Sequence, residues 1–180
     1  MKTRVKMAFF LSFLFLFILW LVGKLIDNTP PKDFEFSKRY FTDSKVYDEV
    51  KGIVINNRIY RLSLMSVLVD TRSVVGWRQR LNIWRLLWRL GVDQVDLSFS
   101  NKNHDDINEV LFVLYADGFV LGGQDKGVAF RLEPPPSDQI VDDLDEYRKG
   151  LYSGVIQAVN GKMMYVPLEN GWYLFYQYWD

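Results

Sequence analysis

The chain has 180 residues, 49% hydrophobic and 16% aromatic, enough to bury one core of its own. It contains no cysteine, which excludes disulfides, a thiolate nucleophile and cysteine metal sites. Its 22 Lys/Arg are balanced by 22 Asp/Glu, unlike a general nucleic-acid binder, whose basic patch dominates the domain. The zero net charge hides an asymmetry. Residues 1–91 carry sixteen Lys/Arg against seven Asp/Glu, or +9, and residues 92–180 carry six against fifteen, or −9.

The run from Met7 to Gly23 is apolar except for Ser12, and it extends through Leu25 and Ile26. A helix over residues 7–26 would be about 30 Å long, enough to cross a bilayer. Phe9, Phe10, Leu14, Phe17 and Trp20 would form the anchor, with Lys24 reaching back to the headgroups. Lys2, Arg4 and Lys6 favour a cytoplasmic tail over residues 1–6 and export of everything after the anchor. A cleaved signal peptide is the alternative, but the stretch is longer than a signal core and no A-x-A-like site follows it.

Residues 27–49 are polar and contain Pro30-Pro31, which predicts a stalk leading to an exported domain over 50–180. GIVINNRIYRLSL predicts a hairpin turning at Asn56-Asn57. The segment GWRQRLNIWRLLWRLG (76–91) predicts a helix closed by Gly91. Val95, Leu97 and Phe99 then alternate with polar residues as in a half-buried strand. Ala116-Asp117-Gly118 and Asp125-Lys126-Gly127 lie between apolar runs and predict the two turns of a meander.

Pro134-Pro135-Pro136 breaks the sheet, and Ser137 is placed to cap a helix over 138–149. GVIQAV, KMMYVPL and WYLFYQYW predict three further strands, turned at Asn160-Gly161 and Asn170-Gly171. The expected fold is α+β, an antiparallel sheet of about seven or eight strands with two packed helices.

On a helical wheel Arg78, Asn82, Arg85 and Arg89 form a narrow polar stripe, and apolar residues cover an arc of about 220°. The plain expectation is a helix covering the sheet, with Trp84 and Trp88 in the core. The alternatives are a membrane-surface helix or a docking face built on Trp and Arg. Nucleic acid has little place in an exported domain. Asp138, Asp142, Asp145 and Glu146 share one side of the acidic helix, with Asp143 nearby, as a solvated face or a surface for a basic partner.

Nothing around these carboxylates predicts the burying pocket that acid/base catalysis needs. The single histidine, His104, lies in a polar loop with no nucleophile motif beside it, and one histidine without cysteine makes no zinc set. No glycine pattern forms a phosphate cradle. No cofactor, metal or catalytic residue is therefore expected.

The layout, one N-terminal anchor and one small β-rich exported domain, resembles periplasmic immunity proteins that neutralise secreted toxins. It also resembles bitopic subunits of secretion or envelope machinery. The resemblance is architectural. It implies a protein-binding domain at the bacterial inner membrane, facing the periplasm, whose partner is a toxin or an envelope subunit. A carboxylate-dependent hydrolase is the rival class. Arg78, Arg85, Arg89 and the five acidic residues named above are the candidate contact residues.

Overall fold

The computed structural model describes residues 30–64, 76–99, 107–119 and 122–179. The anchor segment 7–26 and the His104 loop lie outside these residues. Among the described residues no helix is long and apolar enough to cross a membrane.

The fold is α+β. Its elements in chain order are α1 (Asp33–Asn56), β1 (Arg61–Ser63), α2 (Trp77–Leu90), β2 (Gln94–Phe99), β3 (Ile107–Phe119), β4 (Gly122–Arg131), a 3-10 turn (Ser137–Gln139), α3 (Leu144–Tyr152), β5 (Met163–Pro167) and β6 (Trp172–Trp179). The six described strands form one antiparallel sheet in the order β1-β2-β3-β4-β6-β5. α1 lies across β4 and β6, α2 packs on α1, and α3 sits beside β5.

Helix α1 replaces both the stalk predicted over 27–49 and the first arm of the predicted hairpin. Phe36, Tyr40, Tyr47, Val50 and Val54 are buried at helical spacing. Asp33 and Glu35 in the first turn favour the positive end of the helix dipole. Pro30-Pro31 precedes this helix, a place proline tolerates. The Asn56-Asn57 turn is its C-terminus: the Asn57 side chain donates to the Ile53 carbonyl at 2.8 Å, and Arg58 takes a positive φ of 49°. Of the predicted hairpin only the second arm survives, as β1 pairing with β2.

α1 departs from helical geometry at Asp43 (φ −121°, ψ 23°). Thr42 Oγ1 donates to the Lys38 carbonyl at 2.8 Å there, the kind of back-bonding that bends helices. Asp43 itself is held by Arg89 of α2 at 2.6 Å. With Asn82 donating to Glu49 at 3.2 Å, the two contacts set α1 and α2 antiparallel.

Two predicted turns fall inside strands. Ala116-Asp117-Gly118 lies in β3 opposite Asp125, Gln124 and Gly123, and Asp125-Lys126-Gly127 lies in β4. The glycine at 127 answers a steric need, because a Cβ there would stand 2.0 Å from the Phe112 carbonyl oxygen. A register shift between Val113 and Tyr115 follows directly. At the other end, Asn170 and Gly171 both take positive φ, 52° and 80°, and make the predicted tight turn between β5 and β6. GVIQAV forms no strand, and Val155 and Val159 within it are exposed.

The acidic helix starts later than predicted. Val141 N–H donates to the Tyr165 carbonyl at 2.9 Å and Ile140 bridges Tyr165, which draws residues 140–141 onto the sheet edge. Asp143, not Ser137, is the cap, accepting from Glu146 N–H at 2.8 Å.

The core lies between sheet and helices around the Trp172 ring, whose centroid is 5.3–5.8 Å from those of Tyr40, Tyr47, Phe112 and Phe130. α2 contributes Ile83, Leu87 and Leu90 to it. Its tryptophans do not play the predicted role: Trp84 is half-buried, and Trp77 and Trp88 are 64% and 66% exposed. Leu87→Ala should therefore destabilise the protein by about 2–5 kcal/mol, and Trp88→Ala by less than about 1 kcal/mol. Denaturant melts of the two variants check the order. A larger loss at Trp88 would place that ring in the core.

Candidate functional site

Two buried polar clusters and one exposed ridge pair carry the chemistry of this fold. The first cluster centres on Lys126, which is only 1% exposed on the helical face of β4. Its ammonium lies 2.6 Å from Asp33 Oδ1 and 2.7 Å from Asp145 Oδ1, and donates to the Pro31 carbonyl at 3.0 Å. The two carboxylates also exchange helix caps. Asp33 N–H donates to Asp145 Oδ2 at 3.0 Å, and Leu144 N–H donates to Asp33 Oδ2 at 2.7 Å. Each helix start is thus capped by the other's aspartate, and the lysine neutralises both.

Burial works to raise the Asp145 carboxyl. The Lys126 hydrogen bond, the Asp33 N–H and the charges of Lys126 and Arg148 outweigh burial and hold it below the usual carboxylate range. Asp143 joins these two aspartates in a set whose oxygens lie within 4.8 Å of one another, a spacing that could ligate a metal. The ammonium of Lys126 already occupies the charge-neutralising position, so a cation would have to displace it. The cluster acts as a lock between helix starts.

The second cluster is on the opposite face of the sheet. Arg131 Nη1 lies 2.7 Å from Glu109 Oε2, across the β3–β4 pair, and donates to Tyr165 Oη at 2.9 Å. Tyr165 Oη in turn donates to Glu109 Oε2 at 2.8 Å. Burial and the Glu109 charge push the Tyr165 phenol well above its ordinary value. The carboxylate is saturated by its neighbours, an arrangement that stabilises the sheet and leaves no base free. Further along this face Asp125 carries a carboxyl pushed up to about 6 by burial, then by the charge of Asp96, with Arg61 opposing.

The third feature is the exposed side of α2. Trp77, Trp84 and Trp88 fall within about 40° of one another on the helix, and Arg78, Arg85 and Arg89 form a parallel row about 100° away. The rings of Trp84 and Trp88 stack at 5.6 Å. All three arginines are exposed. Arg89 is bound to Asp43, whereas Arg78 and Arg85 have no carboxylate within ion-pair distance among the described residues. The sequence predicts the arginine row, and of the two tryptophans it places in the core Trp84 packs half-buried against it while Trp88 is exposed.

The acidic residues expected on one strip are dispersed. Asp145 is turned inward to Lys126, Asp138 is paired with Lys162 at 2.9 Å, and Asp143 caps α3. Asp142 and Glu146 remain exposed, Glu146 beside Lys149. Sequence analysis missed Lys126, Asp33, Glu109, Arg131 and Tyr165 altogether. Lys126 looked like a turn residue between Asp125 and Gly127, and no periodic signal marks a charged side chain inside a strand.

The lock generates a prediction in which pH is the control. Asp145 has a depressed pKa in the folded state, so its stabilising effect is present above its ordinary value of 3.8 and is lost as pH falls through the folded value. Lys126→Met should cost about 3–5 kcal/mol at neutral pH, because two buried-side carboxylates lose their counter-ion. The gap to the natural chain should narrow as pH falls below about 4. A gap independent of pH between 7 and 3 would assign the loss to packing alone.

Asp125 has the opposite sign. Its folded value is raised, so stability falls as pH climbs from 3.8 to about 6 and stays lower above that. Asp125→Asn should relieve the cost, gaining about 1 kcal/mol at pH 7 once solvent screening at this half-exposed site is discounted. Melts at pH 7 and pH 4 test this, with little gain expected at pH 4.

No family model matches the chain, and comparison with curated proteins and with solved structures returns no match to set beside this geometry.

Proposed function

We propose that the chain is a membrane-anchored, non-enzymatic protein-binding domain of the bacterial envelope, held at the inner membrane by residues 7–26 with residues 31–180 in the periplasm. The observation that carries the proposal is the exposed pair of ridges on α2. Tryptophan and arginine are the residue types most enriched where binding energy concentrates, and here Trp77, Trp88 and the three arginines stand outside the core. A membrane-surface helix would have to offer its apolar face to lipid, but Ile83, Leu87 and Leu90 on that face are buried.

The carboxylates that a hydrolase would use are engaged elsewhere. Asp145 serves Lys126, Asp138 serves Lys162 and Glu109 serves Arg131 and Tyr165. A self-contained fold with a polarised surface fits an inhibitor that neutralises a secreted toxin. A bitopic subunit of an envelope machine would use the same ridges.

Site-specific photo-crosslinking in intact membranes tests the docking role. A photoreactive residue in place of Trp88 should give a discrete protein adduct, and one in place of Asn170, at the exposed β5–β6 turn, should not. Lipid adducts alone at position 88, or the same products from both positions, would remove the ridges from recognition.

A further inference from the structure

We infer that the occupant of the α2 ridges is a second copy of this chain, which presents its acidic face at the start of α3; the inference rests on the docking role proposed above for the same ridges. One chain carries both halves of the match. The ridges offer Arg78 and Arg85, exposed and without a carboxylate partner among the described residues, beside the exposed rings of Trp77 and Trp88. The start of α3 offers Asp142 and Glu146, both exposed, the second paired with Lys149, with the exposed side chain of Ile140 just before the helix and that of Tyr152 at its far end. Each surface has exposed charge near apolar area, arginine on α2 and mainly carboxylate at the start of α3.

Within one copy the two surfaces do not neutralise each other. Between the described residues the ion pair of α2, Arg89 to Asp43, runs to α1, and the acids Asp138, Asp145 and Glu146 pair with Lys162, Lys126 and Lys149. Among the described residues this leaves Arg78 and Arg85 on one surface and Asp142 on the other without an opposite charge, and Glu146 in an exposed ion pair with Lys149, the kind that contributes little and exchanges readily for another partner. Copies tethered in one membrane meet at high effective concentration, so a modest contact suffices. The contact is heterologous, α2 of one copy on α3 of the next. Each copy keeps one free surface, and association either closes into a ring or propagates as a row.

Charge exchange in the full chain, in detergent micelles at low salt, tests the inference by sedimentation velocity. One variant carries Arg78→Glu and Arg85→Glu; the other carries Asp142→Lys and Glu146→Lys. The natural chain should self-associate, and more weakly as salt rises. Each variant alone should associate roughly tenfold more weakly or worse, because like charges face each other. An equimolar mixture should recover the association, since both of its contacts again join opposite charges.

Matching melting temperatures and circular dichroism confirm that the variants are folded, and recovery in the mixture confirms it independently. A natural chain that stays monomeric, reversals without effect, or a mixture that fails to recover overturns the inference. A monomeric chain whose position 88 still crosslinks to a different protein overturns the second copy and leaves the docking role standing. A monomeric chain with no protein adduct overturns both.

Discussion

The buried ammonium of Lys126 is the point on which the arrangement of helices depends. A lone charge inside a protein is expensive, and it persists only when opposite charge and hydrogen bonds meet it with good geometry. Here the compensation comes from two aspartates that are each the first or second residue of a helix. Each aspartate also has a second duty, to cap the other helix. Satisfying the lysine therefore places the starts of α1 and α3 together over β4, and any other placement leaves a charge and two N–H groups unpaired. Burial of this kind contributes more to choosing one structure than to net stability. A methionine with both aspartates replaced would test how much of the choice is retained.

From that fixed start, α1 passes over the sheet and organises the rest of the helical layer. Both halves pack on the sheet, Tyr40 on Trp172 and Tyr47 on Trp172 and Phe112, and both reach α2, through Arg39 to the Leu90 carbonyl and Asp43 to Arg89. The break at Asp43 lets both halves pack without straining one straight axis, and Arg89 secures it. α2 packs on α1 and adds Ile83, Leu87 and Leu90 to the core, with Leu86 at its edge. Trp84 packs half-buried against the core edge, and Trp77 and Trp88 are left outside. The opposite face of the sheet carries a separate network, Glu109 with Arg131 and Tyr165.

Local chemistry was legible where it acts locally. Gly91 at the end of α2, the Asn170-Gly171 turn and the alternation of Val95 and Leu97 each depend on a few neighbouring residues, and each appears where the sequence places it. α1 was hidden because its buried residues are separated by charged ones, and because GIVINNRIY has β-branched residues around an Asn pair, a good imitation of a hairpin. Lys126 and Gly127 were hidden for a deeper reason. Their roles are set by Asp33, Asp145 and the Phe112 carbonyl, all distant in sequence, and composition alone makes an Asp-Lys-Gly triplet a turn. The arginine row was legible from periodicity. The side on which the tryptophans fall was not, because periodicity gives the faces of a helix but not which neighbour arrives to cover one.

The reciprocal caps also set the order in which this chain can mature. Asp33 and Asp145 lie 112 residues apart, and ribosomes add about 5–20 residues per second. Helix α1 thus emerges on the order of ten seconds before the residue that caps it exists. During that interval its start is unsatisfied and its apolar stripe has no sheet to cover. The strands that follow pair mostly with sequence neighbours and can assemble as they appear, but α1, made before them, is among the last elements to be secured. A chain of this design spends its synthesis with Phe36, Tyr40, Tyr47 and Val50 of α1 uncovered, and a chaperone that binds apolar segments has its longest opportunity there.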